Sequence, residues 1–263
     1  MKKPKGKKVY SAMKRREARN FYLYTAPWLI GFFVLTLYPI VYSFYLMFTD
    51  MNLTGVGKFI GLENLKYAFT DDPLFIKAFI NTLKYVVMFV PSSIILAFFV
   101  ALLLSKKVKG LGFFRTAFYI PYITSGVAVT ILWGWIYQKD YGIINYVLSL
   151  FGIKGVNWLG DKNIAMISIV ILSLWTIGNN IIIMLAGIQD IPQSYYESAQ
   201  IDGAGAIRQI FSITLPLCTP TIYFNLIVTI IAAFQVFQQP LILTNGGPLN
   251  STYTAAIHMY NNG

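Results

Sequence analysis

Five stretches of this 263-residue chain are long and apolar enough to cross a lipid bilayer, and this limits the fold more than any other feature. They run at about Tyr22–Phe48, Leu83–Leu104, Phe114–Tyr137, Ile164–Ala186 and Leu217–Phe237. A hydrocarbon core about 30 Å thick takes roughly 20 residues of helix. Inside it the backbone finds no water, so each span must satisfy its own N–H and C=O groups, which helices do. The alternating pattern of a barrel strand is missing from the sequence. With 56% hydrophobic residues, 12% charged and a mean hydropathy of +0.60, the chain carries more apolar surface than a soluble domain of its length can bury. The expected fold is an all-α, polytopic membrane bundle.

Charge sets the expected orientation. Of the net +11, nine Lys or Arg precede Asn20 against one acid, Glu17. Lys106, Lys107, Lys109 and Arg115 follow the second span with no acid among them, whereas the linkers 49–82 and 138–163 are nearly balanced. Positive loops stay inside, so the N-terminus and the loop 188–214 are expected inside and the C-terminal tail outside. Lipid headgroups explain the basic head more simply than nucleic acid does. The apolar run after Arg19 is too long for a signal peptide and holds Pro27 and Pro39. The single cysteine, Cys218, reads as packing.

Three regions follow. The basic tail, 1–20, is expected to fray or lie on the inner membrane surface. Residues 21–80 hold the first span, kinked near Pro39, and an outer linker with Gly55, Gly57 and Gly61. After Pro73, the pattern Leu74, Phe75, Ala78, Phe79 with Lys77 opposite suggests a short amphipathic helix. Residues 81–263 hold the remaining spans, with kinks expected at Pro91 and Pro121. Residues 139–162 read as a partly ordered outer loop with Trp158 at headgroup depth, and the tail from Gln238 as an outer, turn-rich segment.

Between the fourth and fifth spans lies a polar segment, 190–215. Pro192 suits a helix first turn, and Ser194 with Glu197 has capping-box spacing. A helix is expected from Gln193 to Ile201. Asp202-Gly203 should break it, glycine tolerating positive φ and Asp202 capping a second helix, Ala204–Ser212, with Ile207, Ile210 and Phe211 on its apolar side. Ala199, Gly203, Ala204 and Gly205 are small enough for another protein to approach the backbone. Pro216 and Pro220 mark the return to the membrane.

Glu197, Ala199, Gly203, Ile213, Leu215 and Pro216 together match the cytoplasmic loop of binding-protein-dependent ABC importer permeases, which the chain resembles from about Tyr22 onward. Ser198 departs from the family's usual alanine, small for small. Asn81-Thr82-Leu83, Phe113-Phe114-Arg115, Tyr141-Gly142-Ile143-Ile144-Asn145, Trp158-Leu159, Leu185-Ala186-Gly187-Ile188-Gln189, Ala233-Phe234-Gln235-Val236-Phe237 and Thr244-Asn245-Gly246-Gly247-Pro248 are similar to the maltose and multiple-sugar branch. The large extra outer domain of the maltose permease has no counterpart. The family usually has a final span after the Gly-Gly-Pro loop; five are visible here, and a missing sixth is expected.

The resemblance implies a type I importer permease fold in a bacterial-type inner membrane. It also implies a second permease subunit, two ATPase subunits and an extracytoplasmic sugar-binding protein. Glu197, Ser198, Ala199, Asp202, Gly203, Ala204, Ile213, Leu215 and Pro216 would then contact and follow the ATPase. ATP and Mg would bind there, with no cofactor, metal or catalytic residue in this chain. The residues agree: the sequence holds no G-x-x-x-x-G-K-[ST] loop, and one histidine, His258, that reads as a tail residue. Asn179, Asn180, Asn225, Phe234, Gln235 and Gln238 offer the amides and aromatic faces a sugar needs. Amides inside spans equally often hold helices together. Two alternatives remain: a permease of the same type for another solute such as glycerol phosphate, and a stand-alone channel or secondary transporter. The latter class needs intramembrane charges, to which only Lys84, near a span end, comes close. A membrane enzyme would need a cluster of acids or a nucleophile–base pair, and the sequence suggests none.

Overall fold

The computed structural model describes residues 12–51, 57–106 and 110–262. Most of the basic head, Gly55, Lys107 and Lys109 lie outside them. The chain forms two compact units, Met1–Asp72 and Pro73–Gly263.

The first unit begins with a helix already formed within the expected frayed head: α1, Ala12–Gly31, is followed by a π-helical segment, Phe32–Leu37, and α2, Tyr38–Leu46. The cause of the widened turn is Pro39. Its ring removes one N–H and crowds the carbonyl a turn back. The turn relaxes to a five-residue step, the Tyr38 N–H bonding the Phe33 carbonyl. Past α2, a two-residue antiparallel pair (β1 Thr49–Asp50, β2 Lys58–Phe59) precedes α3, Glu63–Thr70. Asn64 anchors α3 by donating from Nδ2 to the Met47 and Thr49 carbonyls, at 3.1 and 3.0 Å.

The second unit is organised along α4, Phe75–Ser105. At 31 residues it is about 46 Å long, more than a hydrocarbon core requires. Where a short separate helix was expected after Pro73, the structure has the first turns of α4, and the helix continues through Pro91. The helices that follow are α5 (Leu111–Ile123), α6 (Gly126–Ile136), α7 (Ile143–Leu150), α8 (Ala165–Trp175) and α9 (Gly178–Gln189). Then come α10 (Gln193–Ile201), α11 (Ala206–Gln209), a π-helical segment Ile210–Thr214, α12 (Leu215–Leu217), α13 (Thr219–Phe234), α14 (Gln238–Thr244) and α15 (Ala255–Asn262). Against α4 lie α8, α9, α13 and α15. Three apolar layers succeed one another along it: Ala78 with Tyr253 and Ile257; Tyr85, Val86 and Val90 with Met166, Ile169 and Ala233; and Ala97, Phe98 and Ala101 with Ile181, Met184 and Cys218.

Three expected spans are bent. The third breaks by 99° between α5 and α6, the fourth by 51° between α8 and α9, and the fifth by 66° at Cys218 between α12 and α13. In the third, Thr124 and Ser125 are extended (ψ 148° and 121°), three residues past Pro121. The side chain of Gln238 then lies so close to Gly126 that a Cβ there would meet its Oε1 at 2.5 Å. By length and composition, among the described residues two helices can cross a membrane as they stand, and up to five segments can if each bent pair is one span.

The segment expected as a partly ordered outer loop is tightly organised. Asn145, buried at the start of α7, donates to the Lys139 and Val156 carbonyls, both at 2.8 Å. Its Oδ1 accepts from the Val156 N–H at 3.1 Å and the Trp158 Nε1–H at 2.9 Å. Trp158 is thus fixed by protein contacts, with Tyr137 stacked at a tilt beside it. The C-terminal segment is pinned similarly: Asn81 donates to the Asn250 and Tyr253 carbonyls (2.8 and 3.1 Å), and Thr82 Oγ1 accepts the Ala255 N–H at 2.9 Å. Asn245, Gly246, Leu249 and Asn250 have positive φ there, the turns expected of this region.

Candidate functional site

The polar segment between α9 and α13 folds as an elbow. Helix α10 has the expected bounds, but its start is simpler than a capping box. Pro192 is the N-cap (φ −57°, ψ 132°), no side chain caps the helix, and Ser194 falls inside the first turn. Asp202 also takes a different place: it is the C-cap of α10 (φ −76°, ψ 5°), while Gly205 caps α11 without a side-chain bond.

The turn itself is a Schellman motif. Gly203 has φ +75°, its N–H bonds the Gln200 carbonyl at 3.0 Å, and the Ala204 N–H bonds the Ala199 carbonyl at 2.8 Å. The positive φ explains the glycine, and the paired bonds explain the spacing from Ala199 to Ala204. Gln209 adds a stitch, its Nε2 donating to the Ala204 carbonyl at 2.8 Å.

Below the turn, α11 passes into the π segment and α12. The Leu215 N–H bonds the Ile210 carbonyl five residues back, one position before Pro216, as happens before Pro39. Tyr196 and Thr214 share a hydrogen bond of 3.0 Å between hydroxyls, joining α10 to the π segment. Leu215 and Ile210 pack on the core layer that holds Cys218, and Ile213 is half-buried. The elbow is therefore braced to the bundle. Glu197, Ser198, Asp202, Gly203 and Pro216 are exposed, and Ala199 and Ala204 half-buried. Ile201, Ile207 and Phe211 are 87%, 74% and 60% exposed. Ile207 and Phe211 thus turn the apolar side expected of this helix outward, with only Ile210 turned in.

The polar residues suggested for a path divide. Asn225 is fully buried in the seam between α13 and α9: Nδ2 donates to the Asn180 carbonyl at 3.2 Å, and Oδ1 has no hydrogen-bond partner. Asn180 in turn donates to Thr229 Oγ1 at 2.9 Å. Asn179 is half-buried beside it. Phe234 and Gln235 are exposed where α13 ends, and Gln238, half-buried, opens α14 beside Gly126. The structure thus links Asn180, Asn225 and Thr229 in one network, with Gln235 and Gln238 at the end of the helix that carries it. The bracing residues Tyr196, Gln209 and Thr214 were not legible in the sequence: Tyr196 and Thr214 meet across a turn of unpredicted π geometry, and Gln209 reaches back to a carbonyl in the tight turn itself.

This bundle, with an exposed elbow braced to a bent span, is the architecture of a membrane permease. The chain belongs to the family of binding-protein-dependent transport system inner membrane components, whose pattern residues 73–263 match. It is 38% identical over 250 residues to the probable ABC transporter permease protein YesP of Bacillus subtilis, covering 94% of this chain and 81% of that protein. The trehalose/maltose transport system permease protein MalF of Thermococcus litoralis is 33% identical over 253 residues, covering 95% and 85%. A solved bacterial alginate ABC transporter, in complex with an alginate pentasaccharide-bound periplasmic protein, has a chain of the same fold. Its TM-score is 0.77 at 24% identity, over 97% of this chain and 86% of that one. The protein is a membrane permease component of a binding-protein-dependent ABC importer.

Proposed function

We propose that this chain forms half of the path of an ATP-driven carbohydrate importer and takes its movement from a separate ATPase through the elbow around Glu197–Gly203. The observation that carries the reading is the elbow's exposed apolar surface. Ile201 and Ile207 stand 87% and 74% exposed on a stiff polar turn, next to the small residues Gly203 and Ala204. Exposed apolar groups on an ordered turn fit a docking surface. The similarity to a trehalose/maltose transport system permease favours a sugar or oligosaccharide as cargo. ATP and Mg would bind the ATPase subunits, and a second permease subunit and a sugar-loaded binding protein would complete the assembly. Asn179, Asn180, Asn225, Phe234, Gln235 and Gln238 are the proposed path residues; Asn180 and Asn225 would act through the seam they hold, the others by direct contact. The N-terminus and the elbow would face the cytoplasm across the inner membrane.

The deciding experiment replaces Gly203 with tyrosine in the assembled importer and measures both sugar uptake into proteoliposomes and recovery of the ATPase with the membrane subunits. Uptake should fall at least tenfold and ATPase recovery should drop, while the variant still inserts. Wild-type uptake together with wild-type ATPase recovery would refute the docking role.

A further inference from the structure

Beside the elbow, and lined in part by it, is a cavity of about 680 Å³, within the size range of small-molecule sites. Its walls come from the end of α4, the start of α5, the end of α9, and α10 with α11. One part is apolar, with Phe99, Leu103 and Ile188. Another is polar, with Gln193, Tyr196 and Gln200 of the elbow. Its two charged residues are both basic, Lys106 and Arg115, and no Asp or Glu is among the described lining residues. Arg115 is under-used. A guanidinium offers five N–H donors. Here one terminal nitrogen makes a long bond, 3.4 Å, to the Leu104 carbonyl, and the buried Nε has no partner among the described residues. A buried N–H left without an acceptor is costly, and an anionic group in the cavity would supply one to this half-buried side chain.

We infer that this cavity holds the phosphate-bearing headgroup of an anionic phospholipid, with an acyl chain along the Phe99–Leu103 face of α4. The apolar wall belongs chiefly to α4, which is long and apolar enough to cross a bilayer, and this favours a lipid over a free anion. Basic pockets between membrane helices on the cytoplasmic side suit such headgroups. Because Gln193, Tyr196 and Gln200 line the same cavity, the lipid braces α10. The inference uses the proposed inward orientation only to choose the leaflet.

The test is photo-crosslinking of the complete importer in nanodiscs with a phosphatidylglycerol bearing a diazirine near its headgroup, followed by peptide mapping. The wild type should label peptides containing Lys106 or Arg115. Excess phosphatidylglycerol should compete and phosphatidylcholine should not. Arg115→Gln should lower the yield about fivefold, the effect of roughly one charge, and Arg115→Lys should restore most of it. Labelling confined to other surfaces, equal competition by phosphatidylcholine, or an unchanged yield in Arg115→Gln would overturn the proposal. So would displacement by inorganic phosphate at the lipid's own concentration, which would make the occupant a free anion. If Arg115→Gln does not insert, the wild-type map and its competition decide alone. The map reads the cavity itself, so failure here leaves the docking experiment at Gly203 unaffected, and the reverse holds too.

Discussion

Gly203 illustrates how one residue carries two separable demands. Its φ of +75° costs a side-chain-bearing residue roughly 1–2 kcal/mol, while a Cβ there would meet nothing within 4 Å. The strain is therefore conformational and any steric effect belongs to a docked partner. Asparagine tolerates the left-handed region better than valine does. Gly203→Val should lower the apparent melting temperature of the purified chain, and Gly203→Asn should lower it less. If the turn is a docking surface, both should depress uptake. Asn145 makes the opposite case of a purely structural amide. With both of its polar atoms used, Asn145→Ala should cost about 2–3 kcal/mol, read as a lower thermal midpoint in detergent and faster proteolysis between residues 139 and 158. The sequence singled out Gly203 because a glycine between two short helical patterns has few other uses. It left Asn145 inside a family motif without a mechanism, because its partners, six residues back and eleven and thirteen residues on, are joined to it by a fold no local rule specifies.

At the level of elements, prolines and glycines set the geometry. Both Pro39 and Pro216 follow a π-helical segment, so the chain meets a missing donor by widening the turn rather than breaking it. Pro216→Ala removes the reason for the wide turn between the elbow and α13. It should leave the melting temperature within a few degrees of wild type, but change the rotation of the elbow relative to its span. Uptake should then fall more than stability does, a split that paired uptake and thermal-shift measurements would show. Close helix contacts depend on glycine. A Cβ at Gly187 would meet Thr221 Oγ1 at 2.4 Å, and one at Gly178 the Phe118 carbonyl oxygen at 2.5 Å. Gly187→Leu should force α9 from α13 at a cost of about 1–3 kcal/mol, seen as loss of the folded fraction in size-exclusion profiles. Pro121 signalled a kink in the third span, though not its size or its place at Thr124–Ser125, and the bend at Thr176–Ile177 had no sequence signal, since hydropathy records which residues are apolar and not where a rod turns.

For the whole molecule, the decisive quantity is which side of the bilayer each loop occupies. Cys218 is the chain's only cysteine and is buried, so replacing it with Ala gives a near-native background for single-cysteine labelling. Cysteines placed at Glu197 or Asp202, both exposed, should react with a membrane-impermeant maleimide only in inside-out vesicles, and labelling in right-side-out cells would sink the coupling proposal. The sequence by itself determined that this chain is a helical membrane protein, roughly where its spans lie, and that the polar turn at 190–215 is special. Apolar length, the distribution of lysine and arginine, and a glycine needing positive φ are all local properties, so they can be read without knowing what touches what. Only the tertiary structure decided that α4 is the axis of the second unit, that Asn81 and Asn145 tie distant loops in place, and that the elbow backs onto a basic cavity. Those outcomes depend on contacts between residues far apart in sequence, where packing and hydrogen-bond partners are chosen by the assembled bundle rather than by any segment alone.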